Sequence, residues 1–431
     1  MPGPGPASRV PFGLAFFALV VYAAVILSIG THADWRLLHE DNGAFQTSLA
    51  LSHIRLGLAR TRAHDVFFNP GTGEATLYGH HPPGTALILA AVFSATGSAS
   101  PQIARLVPIA FQLGSLALLV ALVSRLFSRE SALFGGFLMA TLPMGAYFGR
   151  MVNYEPLCLF AVLVQLTGYV AFRRNGSRRI LAWLATGIVL GGLIDWASFF
   201  FAAAIAAAEA IDSIGRRSRS ITPLLVIAGA IVAVFLFDLL HLWYAAHGTL
   251  APLRHLFFRD SSGGPPSVGL GRFLGTQFET FRRYLTHAGL LSSAVVFLCL
   301  IRPSRRLSNR LFDVPEPCVT RRLLIVTGAA PLAYVIAAPW WAKTHPYWQF
   351  YFLPSVILSM VLVFRLLWRG IRERPSLALR ALFAALLLEV IVSSACMLRL
   401  RHTRPGAYAV RETARLRSNY LSPATPLRRT E

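Results

Sequence analysis

The feature that most constrains this chain is a series of long apolar segments that recurs from residue 10 almost to residue 400. A helix needs about 20 mostly apolar residues to cross a bilayer core. Only helices and closed barrels can satisfy every backbone hydrogen bond there. The 431 residues are 55% hydrophobic and only 14% charged. The sequence therefore predicts an all-α, polytopic membrane protein.

The number of apolar segments predicts a bundle of about 11–12 transmembrane helices. One segment, 83–99, is short and follows a pair of prolines, so it is predicted to be a short or re-entrant helix. Because this segment would not cross the membrane, the other segments would make about eleven full crossings, and the chain would end on the outer side. The segments lie near 10–30, 83–99, 102–124, 132–148, 156–172, 180–194, 197–211, 222–243, 288–301, 323–339, 350–368 and 378–398.

The arginines predict how the bundle is oriented. The net charge is +22, and the basic residues fall between the apolar segments rather than on one face, which argues against nucleic acid as a partner. Basic loops stay on the cytoplasmic side. The N-terminus is therefore predicted to be cytoplasmic, and the segments around Glu40, Glu155 and His345 are predicted to face outward. The basic segments are 173–179, 215–220, 302–322 and 368–375.

Three segments are too polar to cross a membrane. Residues 31–82 are predicted to form a first outer loop, in which DNGAFQTSLALSHIRLGLAR has the spacing of a helix lying in the membrane interface. Residues 244–287 are predicted to form a second large outer loop, and residues 401–431 a basic tail at the surface. Residues 1–400 would then form one transmembrane domain. The chain shows no internal repeat, which disfavours many transporter folds.

Acidic residues at the outer ends of the apolar segments are candidates for catalysis. Glu40 and Asp41 lie in LLHEDNGAFQ, and Glu155 lies in GRMVNYEPL. Paired carboxylates can supply a general base and a group that positions the acceptor or a metal. The alternatives are that Asp41 caps a helix and that Glu155 is a solvated acid at a helix entrance.

Basic and aromatic residues at the same predicted face are candidates for binding an anion. His80 and His81 lie in YGHHPPG, and Lys343, the only lysine, lies with His345 in WWAKTHPYWQFYFLP. Cations beside aromatic rings suit an anionic head group whose tail lies in the bilayer. An aromatic belt with a snorkelling lysine is the alternative.

Four further residues are candidates for the wall of a substrate pocket, although Asp195 could equally be a helix cap. They are Arg150, Asp195, Trp196 and Tyr347. The sequence has no phosphate-binding GxxxxGK[ST] loop, no HExxH zinc motif and no GxSxG nucleophile elbow, so nucleotide hydrolysis, zinc proteolysis and serine hydrolysis have no support.

The order and sidedness of these pieces resemble the membrane glycosyltransferases of the GT-C fold. This broad family contains the protein O-mannosyltransferases and the lipid A aminoarabinose transferases. The resemblance is strongest to bacterial family-39-like proteins, in which an acidic loop leads to an [HK]PPL element. The matching pieces are HEDNGAFQTSLALSHIRLGL, YGHHPPG, GRMVNYEP, LIDWASFF and THPYWQFYFLP.

The resemblance implies an enzyme that transfers a sugar, with inversion, from a polyprenyl-phosphate donor on the outer face of the membrane. Asp41 would take the place of the catalytic base in the first loop, with Glu40 as its neighbour. Glu155 stands where relatives usually have aspartate. The donor phosphate would be bound by four residues, His80, His81, Lys343 and His345. In HPPG, Gly84 replaces the usual leucine, a difference expected to concern packing.

The resemblance also implies a location in the bacterial inner membrane with a periplasmic active site, and a lipid, a glycan or a protein as acceptor. A divalent cation is undecided, and Asp41 and Glu155 would be its ligands. Two alternatives remain open at this point. One is a transporter or flippase for an amphipathic lipid-linked anion, and the other is an inactive GT-C relative that acts as a scaffold.

Overall fold

The apolar segments fold as helices, most of which begin or end at a proline, a glycine or a charged residue. The computed structural model describes residues 10–35, 39–69, 74–215, 221–251, 269–301, 305–403 and 406–416. Its elements are α1 (Phe12–Ser28), α2 (Asp41–Thr61), β1 (Val66–Asn69), β2 (Glu74–Leu77), α3 (Gly84–Thr96), α4 (Pro101–Leu126), α5 (Arg129–Thr141), α6 (Pro143–Phe148), α7 (Tyr154–Asn175), α8 (Arg178–Gly192), α9 (Ala197–Gly215), α10 (Thr222–Ala245), α11 (Leu270–Ile301), α12 (Arg305–Leu311), α13 (Pro317–Ala337), α14 (Pro339–Thr344), a 3-10 helix (Pro346–Phe352), α15 (Leu353–Glu373), α16 (Leu377–Thr403) and α17 (Ala407–Leu416).

Eight helices in the described residues are long and apolar enough to cross a membrane, as a multi-pass membrane protein requires. Three shorter apolar helices accompany them, at 12–28, 84–96 and 179–192. The predicted segment 132–148 is split into α5 and α6, because Leu142 is extended before Pro143 and a residue before proline avoids the helical conformation. The predicted count of about 11–12 is reached only with the shorter helices and the α5–α6 pair included.

Helix α3 is the short helix that the sequence predicts. Its 13 residues span about 20 Å, less than the roughly 30 Å of a bilayer core. Its re-entrant placement stays a prediction.

A network of ion pairs gathers two of the basic segments at one end of the bundle. Arg173, in the last turn of α7, contacts Glu209 at 2.9 Å and Asp212 at 2.7 Å, both on α9. Arg322, near the start of α13, also pairs with Asp212. Helix α7 begins at the opposite end, at Tyr154. The basic loops and the start of α7 therefore lie on opposite sides of the bundle, as the alternation of charge predicts.

The first outer loop is more structured than the sequence predicts. The expected helix is present as α2, and it is largely buried inside the protein. Its place in the membrane interface stays a prediction. Its polar side chains have internal partners: Gln46 contacts Asn153 at 3.4 Å, and His53 contacts Thr61 and Asp65. After it, β1 and β2 pair as an antiparallel hairpin, an addition to the otherwise all-α fold.

The two remaining polar segments are also partly helical. The loop predicted to end at 287 gives way to α11 at Leu270, while residues 252–268 lie outside the described part. Helix α11 breaks at Thr286, where φ is 67°, and the backbone N–H groups of His287 and Ala288 then donate to Glu389 of α16. A carboxylate at the start of a helix stabilises its free N–H groups. This polar partner explains how the chain continues as helix from the polar segment into the apolar one.

The segment after 400 is not simply a surface tail. Helix α16 continues to Thr403, and α17 packs against α2. Within α17, Ala409 is buried and the Thr413 hydroxyl donates to the carbonyl oxygen of Trp35. The remainder of the predicted tail, 404–405 and 417–431, lies outside the described residues. The C-terminal helix therefore supports the loop that carries Glu40 and Asp41.

Gly84 has a steric role at the start of α3. Its N–H donates to the carbonyl oxygen of Leu193 at 3.1 Å, and a Cβ there would lie 2.3 Å from that oxygen. This close approach explains why a leucine cannot stand after the proline pair in this chain.

We expect Gly84→Ala to lower the free energy of unfolding by about 1–3 kcal/mol, because the Leu193 carbonyl is backbone and can move only with its helix. Thermal unfolding of the detergent-purified protein measures the change. Gly229→Ala is the matched control, since its Cβ would meet no atom within 4 Å. Equal stability of the two variants would show that α3 shifts freely.

Candidate active site

One cavity of about 820 Å³ collects residues from four segments that are distant in the sequence. They come from the start of α2, the segment between β2 and α3, the start of α7, and the stretch formed by α14 and the 3-10 helix. All lie on the side of the bundle away from the basic loops. The lining residues are Asp41, Asn42, Phe45, Tyr78, His80, His81, Asn153, Tyr154, Glu155, Trp341, His345, Tyr347 and Trp348.

Two of the three predicted acids face this cavity. Asp41 is the first residue of α2, and no side-chain hydrogen bond caps this helix. Glu155, in the first turn of α7, is only 2% exposed, and its Oε2 has no hydrogen-bond partner among the described residues. Burial rules out the alternative of a solvated acid for Glu155. A buried carboxyl oxygen without a partner is suited to meet a ligand.

The third predicted acid, Glu40, points away from this cavity. Its Oε1 lies 2.9 Å from Arg105 Nη2 and 3.6 Å from Arg150 Nη2. Glu40 and Arg150 line a separate, smaller cavity on the other side of the start of α2. Glu40 is therefore not part of the constellation around Asp41, and Arg150 is not a wall of the larger cavity. Sequence analysis missed Arg105, although an arginine inside an apolar segment is a functional signal.

His81 is held by a buried acid behind it. Its Nδ1 lies 3.1 Å from Asp195 Oδ1, and its ring stacks on Tyr154 at 4.1 Å. The other oxygen of Asp195 accepts from the Tyr351 hydroxyl. Asp195 thus does not line the cavity, contrary to expectation. Because a carboxylate at Nδ1 fixes the orientation of an imidazole, Nε2 of His81 is left to meet a ligand.

Trp196 has a similar supporting position. Its indole Nε1 donates to the carbonyl oxygen of His80 at 2.8 Å, so it fixes the backbone of YGHHPPG without lining the cavity. The ring of His80 lies 4.8 Å from that of Tyr78 and 6.1 Å from that of Trp341. The turn that contains Asp195 and Trp196 therefore docks onto the segment that carries both histidines.

His345 sits among aromatic rings. Its Nδ1 lies 2.8 Å from the Tyr347 hydroxyl, and its ring is parallel to that of Trp341 at 5.4 Å. Burial lowers the pKa of His345 to about 4, so the imidazole is neutral at neutral pH. Lys343, in the last turn of α14, does not line the cavity, and the expectation that it helps His345 there is not met.

Acid should destabilise the fold through two histidines near the start of α2 and the 3-10 helix. Burial lowers the pKa of both His39 and His345 to about 4 from 6.5. The unfolded chain then takes up protons at a higher pH than the folded chain. The associated stability is therefore present above pH 6.5 and is lost as the pH falls towards 4, by about 3 kcal/mol for each histidine.

Thermal unfolding of the purified protein between pH 7 and pH 4.5 measures this loss. We expect His345→Gln and His39→Gln to flatten the pH profile, because glutamine does not titrate. Profiles that run parallel to that of the native chain would contradict the assignment.

Several lining residues were not singled out from the sequence. Asn42, Tyr78, Asn153 and Tyr154 each lie within three residues of a predicted site residue. The Tyr347 hydroxyl donates to Asn42 Oδ1 at 3.4 Å and so joins the first loop to the late aromatic segment. These residues belong to no recognisable motif, but their closeness in the sequence to the predicted acids and histidines could have identified them.

The described residues of this cavity do not form a cluster of metal ligands. Asp41 and Glu155 face the same cavity, but no group of three or more histidine, cysteine, aspartate or glutamate side chains in the described residues could hold a metal ion. We derive no step of the reaction through a metal.

The comparison with known sequences gives a match to one family model, over less than half of the chain. A family model described as dolichyl-phosphate-mannose-protein mannosyltransferase matches residues 80–243. This range contains the HHPPG part of YGHHPPG, Glu155 and Asp195, and excludes Asp41 and His345. A search of curated protein sequences gives no match.

The comparison with solved structures confirms the GT-C fold. ArnT from Cupriavidus metallidurans bound to undecaprenyl phosphate is 11% identical with a TM-score of 0.56, and the match covers 95% of this chain and 78% of that one. The Archaeoglobus fulgidus oligosaccharyltransferase with a tethered acceptor peptide is 13% identical with a TM-score of 0.55, over 90% of this chain and 55% of that one. This chain thus spans about half the length of that enzyme. At such low identity, the similarity establishes the fold alone.

Proposed function

We propose that the protein is a glycosyltransferase that moves a sugar from a polyprenyl-phosphate donor to an acceptor hydroxyl on the outer side of the membrane, with inversion at the anomeric carbon. The observation that carries this proposal is the single cavity onto which Asp41, Glu155, His81 and His345 converge. Carboxylates and imidazoles are the groups that this reaction needs, as base and as phosphate ligands. The matching family model and the GT-C fold support the same reaction class.

Asp41 is the proposed general base. As the acceptor oxygen attacks the anomeric carbon, its proton passes to the Asp41 carboxylate. The bond from that carbon to the phosphate oxygen breaks, and its electron pair leaves with the polyprenyl phosphate. Direct displacement of this kind inverts the anomeric centre. The position of Asp41 at the start of α2 lets the carboxylate enter the cavity from the side of the first loop.

Histidines on other segments are the proposed ligands of the leaving phosphate. His81 would present Nε2, because Asp195 occupies its Nδ1 side. His345 is neutral before the donor binds, and the negative charge of the donor phosphate, which grows as the sugar departs, would favour its protonation. His80 lines the same cavity and could add a further contact. These donors would stabilise the charge that develops on the phosphate as the sugar departs.

Glu155 is proposed to position the sugar or the acceptor. Its unpartnered Oε2 can accept a hydrogen bond from a hydroxyl, and it lies beside Tyr154, whose ring supports His81. Trp341 and Trp348 add aromatic faces to the same cavity, which suits the apolar side of a sugar ring. Glutamate in place of the usual aspartate has a longer reach towards the cavity.

The protein is proposed to lie in the bacterial inner membrane, with a cytoplasmic N-terminus and a periplasmic site. Its acceptor would be a lipid, a glycan or a protein. Mass spectrometry of the envelope glycans of cells with and without the gene would identify both the sugar and the acceptor.

A transfer assay tests the reaction class directly. Proteoliposomes that contain the purified chain are supplied with a radiolabelled polyprenyl-phosphate sugar and an envelope extract. We expect label to appear on the acceptor together with free polyprenyl phosphate. Movement of intact donor across the bilayer without cleavage would instead support the flippase alternative, and the absence of both would support the inactive scaffold.

A further inference from the structure

A second, smaller cavity lies next to the catalytic one. It has a volume of about 290 Å³. Glu40 and Val152 line it, while their chain neighbours Asp41 and Asn153 line the catalytic cavity. The two cavities therefore occupy opposite sides of the same two chain segments. The smaller one is lined by Trp35, His39, Glu40, Gly43, Arg105, Tyr147, Phe148, Arg150, Met151 and Val152.

One of its two arginines is fully engaged. Arg105 Nη1 donates to the carbonyl oxygens of Thr31 at 2.6 Å and Ala33 at 2.5 Å, and Nη2 donates to Glu40 at 2.9 Å. Its guanidinium also lies 4.2 Å from the ring of Trp35. Asp34, which is half-buried, adds a further negative charge near Arg105. Arg105 is therefore neutralised and held in place as part of the loop.

The other arginine, Arg150, has hydrogen-bond donors that are not used. Arg150 is 1% exposed, and its Nη1 donates to the carbonyl oxygen of Ile29. Its Nε and Nη2 have no hydrogen-bond partner among the described residues, and Nη2 lies 3.6 Å from the Glu40 oxygen that Arg105 already holds. A buried guanidinium whose donors are only partly hydrogen-bonded is costly, even with Glu40 nearby. Two donors of a planar guanidinium match the geometry of a carboxylate or a phosphate.

Among the described residues that line the cavity, no other group supplies the missing negative charge. His39 is neutral at neutral pH because burial lowers its pKa to about 4. The remaining lining side chains are apolar or aromatic, and Glu40 serves both arginines. An anionic group that entered the cavity beside Arg150 would supply this charge.

We propose that Arg150 is the anchor of an anion-binding site for a carboxylate or phosphate group, carried either by the acceptor or by a free ion from solution. The first of these sources, a charged group on the acceptor, rests on the proposed glycosyltransferase function. In that reaction the acceptor lies beside Asp41, and its charged group would reach Arg150. Binding of a free ion does not depend on that function.

Binding of inorganic phosphate to the purified full chain tests the site without any donor. Wild type, Arg150→Gln and the double variant His81→Gln/His345→Gln are compared by equilibrium dialysis with ³²P-labelled orthophosphate at pH 7. We expect Arg150→Gln to weaken one binding event at least about tenfold, a loss typical of a charge-assisted hydrogen bond. The double variant should keep that event, because its substitutions lie in the other cavity. Wild-type binding by Arg150→Gln, or no binding by the double variant, would overturn the proposal.

A measurement on chains that keep Arg150 covers the case in which Arg150→Gln does not fold. Thermal unfolding of the native chain and of the double variant His81→Gln/His345→Gln is followed at pH 7 in orthophosphate and in sodium chloride of equal ionic strength. Phosphate should raise the Tm of both proteins, because a ligand that binds only the folded chain stabilises it and the site around Arg150 is intact in both. A Tm of the double variant that is the same in phosphate and in chloride would overturn the proposal.

The transfer assay then separates the two sources of the anion. If the acceptor carries the group, phosphate should raise the apparent KM for the acceptor, and Arg150→Lys should raise that KM more than it lowers kcat. If a free ion fills the site, the acceptor KM should not change with phosphate. Failure of sugar transfer in every sample would count against the proposed function, while the dialysis result would still decide the anion site.

Discussion

Replacing Asp41 with asparagine is expected to lower sugar transfer about 10²–10⁴-fold, the range that a general base contributes. Asparagine keeps the size of the side chain and can still accept a hydrogen bond, but it cannot take the proton of the acceptor hydroxyl. Because the donor phosphate would be held by residues on other segments, the KM for the donor should change little. The measurement is transfer from a radiolabelled polyprenyl-phosphate sugar in proteoliposomes.

Two controls make this result specific. Glu74→Gln removes an exposed acid from β2 in the same outer loop, outside the cavity, and should leave transfer unchanged. Thermal unfolding of Asp41→Asn should match that of the native chain, since asparagine has nearly the same size as aspartate and keeps an oxygen that accepts hydrogen bonds. Transfer at the native rate by Asp41→Asn would remove this residue as the base and would direct attention to Glu155.

The sequence was sufficient to predict that four of the site residues meet, because sidedness limits where they can lie. The acids and histidines all occur at ends of apolar segments, and the alternation of basic loops assigns those ends to one side. Asp41, His81, Glu155 and His345 then had to share that side, and the GT-C resemblance gave the reason to expect one cavity. The structure places them there.

The direction of individual side chains could not be predicted in the same way. Glu40 and Asp41 are adjacent, yet Glu40 turns away because Arg105 and Arg150, from other parts of the chain, provide its counter-charges. Asp195 lies far from His81 in the sequence and reaches it only because the turn before α9 docks onto YGHHPPG. Helix α2 is buried because α3 and α17 pack against it. The spacing of apolar residues within α2 gives no information about these two partners.

His81→Gln is expected to lower kcat/KM for the donor about 10–100-fold, since a hydrogen bond to a charged group contributes about 1.5–3 kcal/mol. Glutamine can reach into the cavity but cannot carry a positive charge opposite the phosphate. Asp195→Asn should cost less, about tenfold, because it keeps the shape of the side chain while it weakens the hold on His81 Nδ1. Both values come from initial rates at varied donor concentration.

The combination of these two substitutions is the sharper measurement. If Asp195 acts only by orienting His81, the double variant should be no worse than His81→Gln alone, because there is no imidazole left to orient. Tyr351→Phe, which removes the other partner of Asp195, should follow the same pattern with a smaller effect. A double variant whose losses simply add would mean that Asp195 acts on the substrate by another route. The coupling therefore decides whether the acid behind YGHHPPG positions the phosphate ligand or belongs to a separate part of the site.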